Sequence, residues 1–128
     1  MNTLLKETLP FDLTNGNEGR SKSWYKPAAV RRQFERNLIL HGFRRNPFEK
    51  KVIVKVTRVL GKGQRLWDSS SVLRGSYKEL EDALVAVGWF HDDSPKFIEN
   101  TFSYQDDSRR SEGPAIEIEV LQYEGRSA

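Results

Sequence analysis

Apolar positions recur along this chain in two rhythms, and the rhythms divide it into elements. Over residues 27–41, Val30, Phe34, Leu38 and His41 share one face while Arg31, Arg32, Glu35 and Arg36 lie elsewhere, the spacing of an amphipathic helix. Pro27 suits the first turn, where an N–H would go unbonded anyway, and Gly42 is a natural stop. A second helix is predicted over residues 75–87, where Tyr77, Leu80, Ala83, Leu84 and Val87 repeat at helical spacing before Gly88. Between the two, the β-branched run of residues 51–60 is the strongest strand signal in the chain. Residues 97–105 and 115–123 predict two more strands, and the alternation Ile-Glu-Ile-Glu-Val in the second leaves one of its faces wet. Residues 1–24 form a partly extended lead-in, with a short strand expected at Leu9-Pro10-Phe11-Asp12-Leu13 and turn formers dense from Thr14 to Gly19. The order β-α-β-α-β-β implies an α+β fold with two helices packed on a small mixed or antiparallel sheet. Without internal repeats, residues 1–128 read as one domain.

Composition narrows the function classes. A hydrophobic share of 37% in 128 residues supports a packed core, and no run approaches the roughly 20 apolar residues of a membrane span. The first residues lack the basic flank and apolar run of a secretory leader. The absence of cysteine excludes disulfides, thiolate zinc sites and cysteine nucleophiles, and fits a reducing, cytoplasmic setting. With His41 and His91 as the only histidines, a metal would be held mainly by carboxylates.

Charge is spread unevenly. Residues 1–19 carry net −2, residues 20–65 net +12 with Glu35 and Glu49 as their only acids, and residues 66–128 net −7, within a total of +3. A basic first half and an acidic second half suggest a polyanion partner and a separate carboxylate cluster. Trp24, Tyr25, Phe43 and Phe48 are interleaved with the cations of the first half. The candidates for contact with such a polyanion, DNA if the partner is a nucleic acid, are Arg20, Lys22, Arg44, Arg45, Lys62, Arg65 and Arg74, arginine being suited to bidentate phosphate contacts. Residues 61–65 read as a flexible basic loop whose glycines permit close approach to a backbone, or equally as a plain turn. Trp24, Trp67 and Trp89 read as core or interface residues rather than stacking platforms, His91 as a surface histidine, and residues 108–113 as a solvated loop.

Candidate chemistry concentrates between Arg65 and Ile98. Asp68 follows the basic loop, Lys78 and Asp82 are neighbours at i and i+4, and Asp92-Asp93 follow the second helix. Carboxylates gathered by such a unit could hold Mg²⁺, which takes oxygen ligands, activates water and neutralises charge developing on a phosphodiester. A nearby lysine could support the phosphate or the leaving oxygen. The same residues also suit a tight turn and a helix salt bridge.

Arg65-Leu-Trp-Asp68, then Lys78-x-x-x-Asp82-Ala-Leu, then Gly88-x-x-x-Asp92-Asp93-Ser94 resembles the RusA family of phage and prophage Holliday-junction resolvases. The resemblance implies a RusA-like fold and a homodimeric endonuclease, dependent on Mg²⁺ with Mn²⁺ as a possible substitute, that acts on branched DNA in recombination and repair. It also implies catalytic roles for Asp68, Lys78 and Asp93, with Asp68, Asp82, Asp92 and Asp93 as the metal-ligand set. The family's Asp-x-Asp-Asn cluster falls on Val72-Leu73-Arg74-Gly75 in an ungapped register, or on Asp68-Ser69-Ser70-Ser71 with a short gap. Either register loses acidic ligands, so the resemblance implies weakened activity, or an inactive structure-selective DNA-binding dimer on the same fold.

Overall fold

The structure, a computed structural model, describes residues 2–13, 26–67 and 76–125. Four strands and two helices follow in the order β1 (Thr3–Leu9), α1 (Pro27–Leu40), β2 (Val52–Val59), α2 (Tyr77–Ala86), β3 (Ile98–Asp106) and β4 (Ala115–Gln122). The strands form one mixed sheet in the order β1-β4-β2-β3. β4 runs antiparallel to both β1 and β2, while β2 and β3 are parallel, with α2 in their crossover. The expected α+β class and element order therefore hold, and the sheet is mixed.

The first strand differs from expectation. It occupies Thr3–Leu9 and pairs with β4, and of the expected segment 9–13 only Leu9 stays in the sheet while residues 10–13 leave it. Pro10 has no N–H to give a ladder, and the Phe11 N–H folds back onto the Leu9 carbonyl at 2.9 Å. Leu13 still reaches the core, but from outside the sheet.

Alternation along the strands sorts the two faces. Val52, Val54 and Val56 of β2 and Ile116, Ile118 and Val120 of β4 join one core with Phe34 and Leu38 of α1 and Leu80, Ala83 and Leu84 of α2. Both helices thus cover the same face. Ile53, Lys55 and Thr57, with Glu117, Glu119 and Leu121 opposite them, point to the other face, which no described helix covers. α1 opens with Pro27 in its first turn and ends at Gly42, whose φ of +77° continues the chain without side-chain strain. Gly88, at φ +99°, ends the turn after α2 and lies flush against the Arg45 backbone, where a Cβ would collide with the carbonyl. That close approach lets the Trp89 indole N–H donate to the Phe43 carbonyl at 2.6 Å and seats the ring in the core. Trp89 is thus a core residue, as its sequence predicts. No described helix is long and apolar enough to cross a membrane.

Candidate functional site around Lys78

Lys78 stands in the first turn of α2, so Glu81 and Asp82 emerge beside it one turn later. Asp93 is brought to the same place by the segment returning from the end of α2. In that segment the Asp92 carboxylate accepts the Ser94 N–H, and the Ser94 carbonyl accepts the N–H groups of Phe97 and Ile98 at 3.0 Å each. The acidic pair is therefore split by role. Asp92 builds the turn that starts β3, and Asp93 is turned onto the Lys78 ammonium, which donates to it.

The same ammonium lies 3.1 Å from Asp82 and 3.6 Å from Glu81. One cation thus gathers three carboxylates, and their environments push them apart. The hydrogen bond from Lys78 holds Asp93 below the usual carboxylate range. Burial pushes Glu81 up against the pull of Lys78, and the negative charges of Asp93 and Asp82 add to the rise. Lys78 is itself raised, chiefly by its bond to Asp93. Next to it, burial and the charge of Glu81 raise the Tyr77 phenol. The Lys78 ammonium supplies a hydrogen-bond donor, and beside it a more readily protonated Glu81 can exchange a proton while Asp93 stays ionised.

Of the residues expected to do chemistry, Lys78, Asp82 and Asp93 come together, while Asp68 lies outside the described residues. Glu81 is a member of the cluster that the resemblance does not mark, and its i+3 spacing from Lys78 and i+4 spacing from Tyr77 are the sequence signals for it. The donors are hard oxygens suited to Mg²⁺. Among the described residues, however, no group of three His, Asp or Glu side chains is disposed to hold a metal ion, because these carboxylates converge on the lysine. The described residues do not by themselves make the metal site.

The DNA-contact candidates occupy two further places, while Arg20, Lys22 and Arg74 lie outside the described residues. Arg44 is exposed, and the Arg45 guanidinium stacks 3.8 Å from the Phe48 ring centre. The Arg45 N–H donates to Val87 at 3.3 Å, which sets this loop at the far end of α2, about 13 Å along the helix axis from Lys78. Lys62 and Arg65 project from a loop that is pinned rather than flexible. The Gln64 side chain accepts the Gly61 N–H and donates to Asp12, both at 2.7 Å, while Arg110 donates to the carbonyls of Gly61 and Gln64 at 2.7 Å. A Cβ on Gly61 would meet Pro114 at 2.6 Å, so this glycine serves packing within the fold, and its close neighbour is proline. Residues 108–113 are likewise more than a solvated loop, since Arg109 ties Asp106 to Glu117. His91 is half exposed beside Phe97, 3.8 Å from Glu49.

No protein-family model matches this chain, and no curated protein matches it.

Proposed function

We propose that the chain is a RusA-like, Mg²⁺-dependent endonuclease that acts as a homodimer on branched DNA in recombination and repair. One observation carries the reading: Lys78 and Asp93, fifteen positions apart and both singled out by the resemblance, meet at one point on the surface. In this reading Lys78 supports the phosphate or its leaving oxygen, with Asp82 and Glu81 setting its position and charge. Asp93, kept ionised, is the described carboxylate best placed to accept a cation in exchange for the ammonium. Mg²⁺, or Mn²⁺ in its place, would supply water activation with Asp68 as a further ligand. Arg44, Arg45, Lys62 and Arg65 provide exposed or half-exposed cations for phosphate contacts, which makes binding strongly salt-dependent.

A second reading rests on the same cluster. The Lys78 ammonium already neutralises carboxylates that a divalent ion would need, which favours a structure-selective DNA-binding dimer without cleavage. Incubation of a synthetic four-way junction with Mg²⁺ or Mn²⁺ separates the two. Paired symmetric nicks, reduced at least about 100-fold in Asp93→Asn and in Lys78→Gln, establish the nuclease. Tight junction binding without nicks establishes the binder. A junction that competes no better than linear duplex removes both.

A further inference from the structure

The face of the sheet opposite the helices carries its own evidence of a partner. Phe102 and Tyr104 stand two residues apart on β3, 43% and 49% exposed, and with Ile53, Lys55 and Leu121 they line a groove of about 340 Å³. Two large aromatic rings left open to solvent beside a groove give this face apolar surface that a partner could cover.

The charges around the groove identify the occupant. Lys6 reaches Glu117 at 4.0 Å, Lys55 reaches Glu119 at 3.5 Å, and Arg109 bonds Asp106 at 2.8 Å and Glu117 at 3.0 Å. Three cations and three acids on this face therefore cancel, and Lys55 additionally lies 5.3 Å from the Tyr104 ring centre. Among the described residues these pairs offer a polyanion no unpaired cation, whereas the exposed Arg31, Arg32, Arg36 and Arg44 lie on α1 and the loop after it. A symmetric contact sets a surface against its own copy, so a charged face would repel itself and a neutral one does not. The aromatic pair on the edge strand β3 adjoins compensated charges on β2 and β4, so apolar and neutral polar surface lie side by side on this face.

Area agrees. Four strands of about eight residues present a face of about 19 Å by 26 Å, about 500 Å² per copy. Two such faces bury about 1,000 Å², the lower limit for a specific interface.

We infer that the open face of the β1-β4-β2-β3 sheet is where a second copy of this chain docks, sheet on sheet, around Phe102 and Tyr104. This locates the dimer of the proposed function and rests on that reading only for the dimer itself. Packed in this way, the two sheets lie about 10 Å apart and the helices form the outer layers, leaving each Lys78 uncovered.

Sedimentation velocity of the full chain from about 1 to 100 μM, without DNA or metal, tests the inference. The wild type shifts from monomer to dimer, the double variant Phe102→Glu with Tyr104→Glu weakens dimerisation at least about tenfold, and Leu40→Glu, exposed on α1, leaves it unchanged. Because the chain has no cysteine, a second readout is available that does not depend on the double variant folding. Thr57→Cys, central on the open face, should join two copies through a bis-maleimide of about 10 Å, the distance between packed sheets, and Leu40→Cys should not. A monomer at every concentration overturns both the inference and the dimer of the proposed function. A dimer that survives the double substitution, or cross-links through Leu40→Cys instead, overturns the location and leaves the dimeric reading standing. Oligothymidylate that dissociates the dimer and protects Thr57→Cys would make the face a base-stacking surface and overturn the inference.

Discussion

Two clusters in this protein are each built around a single cation, and their contrast separates structure from chemistry. Arg58, near the end of β2, is 2% exposed. It donates to the Arg65 carbonyl and to the Gln105 side chain at 3.0 Å each, lies 3.7 Å from Asp12, and covers the Trp67 ring at 3.7 Å. Gln105, on β3, in turn exchanges two hydrogen bonds with the Trp67 backbone, so one guanidinium fastens two segments, at Asp12 and at 65–67, to the sheet. Lys78 is 59% exposed and faces three carboxylates, one of them with a pKa raised by burial. The buried cation meets Asp12 and neutral groups of fixed geometry, which suits a structural tie. The exposed one has more acid than it can neutralise and is open to solvent, so its partners can exchange, which a structural tie does not allow.

The largest expected effect tests the buried half of this contrast. Arg58→Met takes the guanidinium from Asp12, Gln105 and the Trp67 ring and should cost about 3 kcal/mol, read as a shift of the urea midpoint. Trp67→Ala removes the ring that covers the guanidinium and should cost about 2 kcal/mol in the same assay. Lys78→Gln should cost no more than about 1 kcal/mol, because its ion pairs are exposed, while the Asp93 carboxyl climbs back toward its ordinary value in an NMR titration. A loss of stability as large as that of Arg58→Met would break the contrast and make Lys78 a structural residue.

The smallest effect sharpens it through pH. Asp93 is depressed in the fold, so its contribution is present above the unfolded value of about 4 and is lost as pH falls through the folded value. Glu81 is raised, so it has the opposite sign: stability is lost as pH rises from about 4.3 through the folded value. Melting temperatures between pH 2 and 7 should therefore lose part of their acid-side decline in Asp93→Asn, and Glu81→Gln should gain stability near neutrality. Equal slopes in wild type and both variants would mean that neither carboxyl is perturbed.

Both helices, β2 and β4 are legible in the sequence to within a residue or two, because their apolar spacing repeats locally and Pro27, Gly42 and Gly88 punctuate it. The first strand is misplaced because Thr3–Leu9 shows only weak alternation, with Leu4 and Leu5 adjacent and a register shift between Thr3 and Leu5. Within the candidate site, the i+4 pair Lys78–Asp82 follows from helix geometry alone. Asp93 against Lys78 does not, since it depends on how far the loop after α2 doubles back. Glu81 is hidden for a different reason: its raised pKa comes from burial, which a helix wheel does not report.

The sequence by itself determined the order and type of the elements, the unequal distribution of charge and the residues available for chemistry, because these depend on near neighbours and on composition. Only the tertiary structure decided that Asp92 builds a turn while Asp93 meets Lys78, that Arg109 and Arg110 fasten loops, and that the charges of the open sheet face close on one another. Each of these pairings is settled by sheet register, a close backbone approach or a loop's return path, and each therefore depends on parts of the chain remote in sequence.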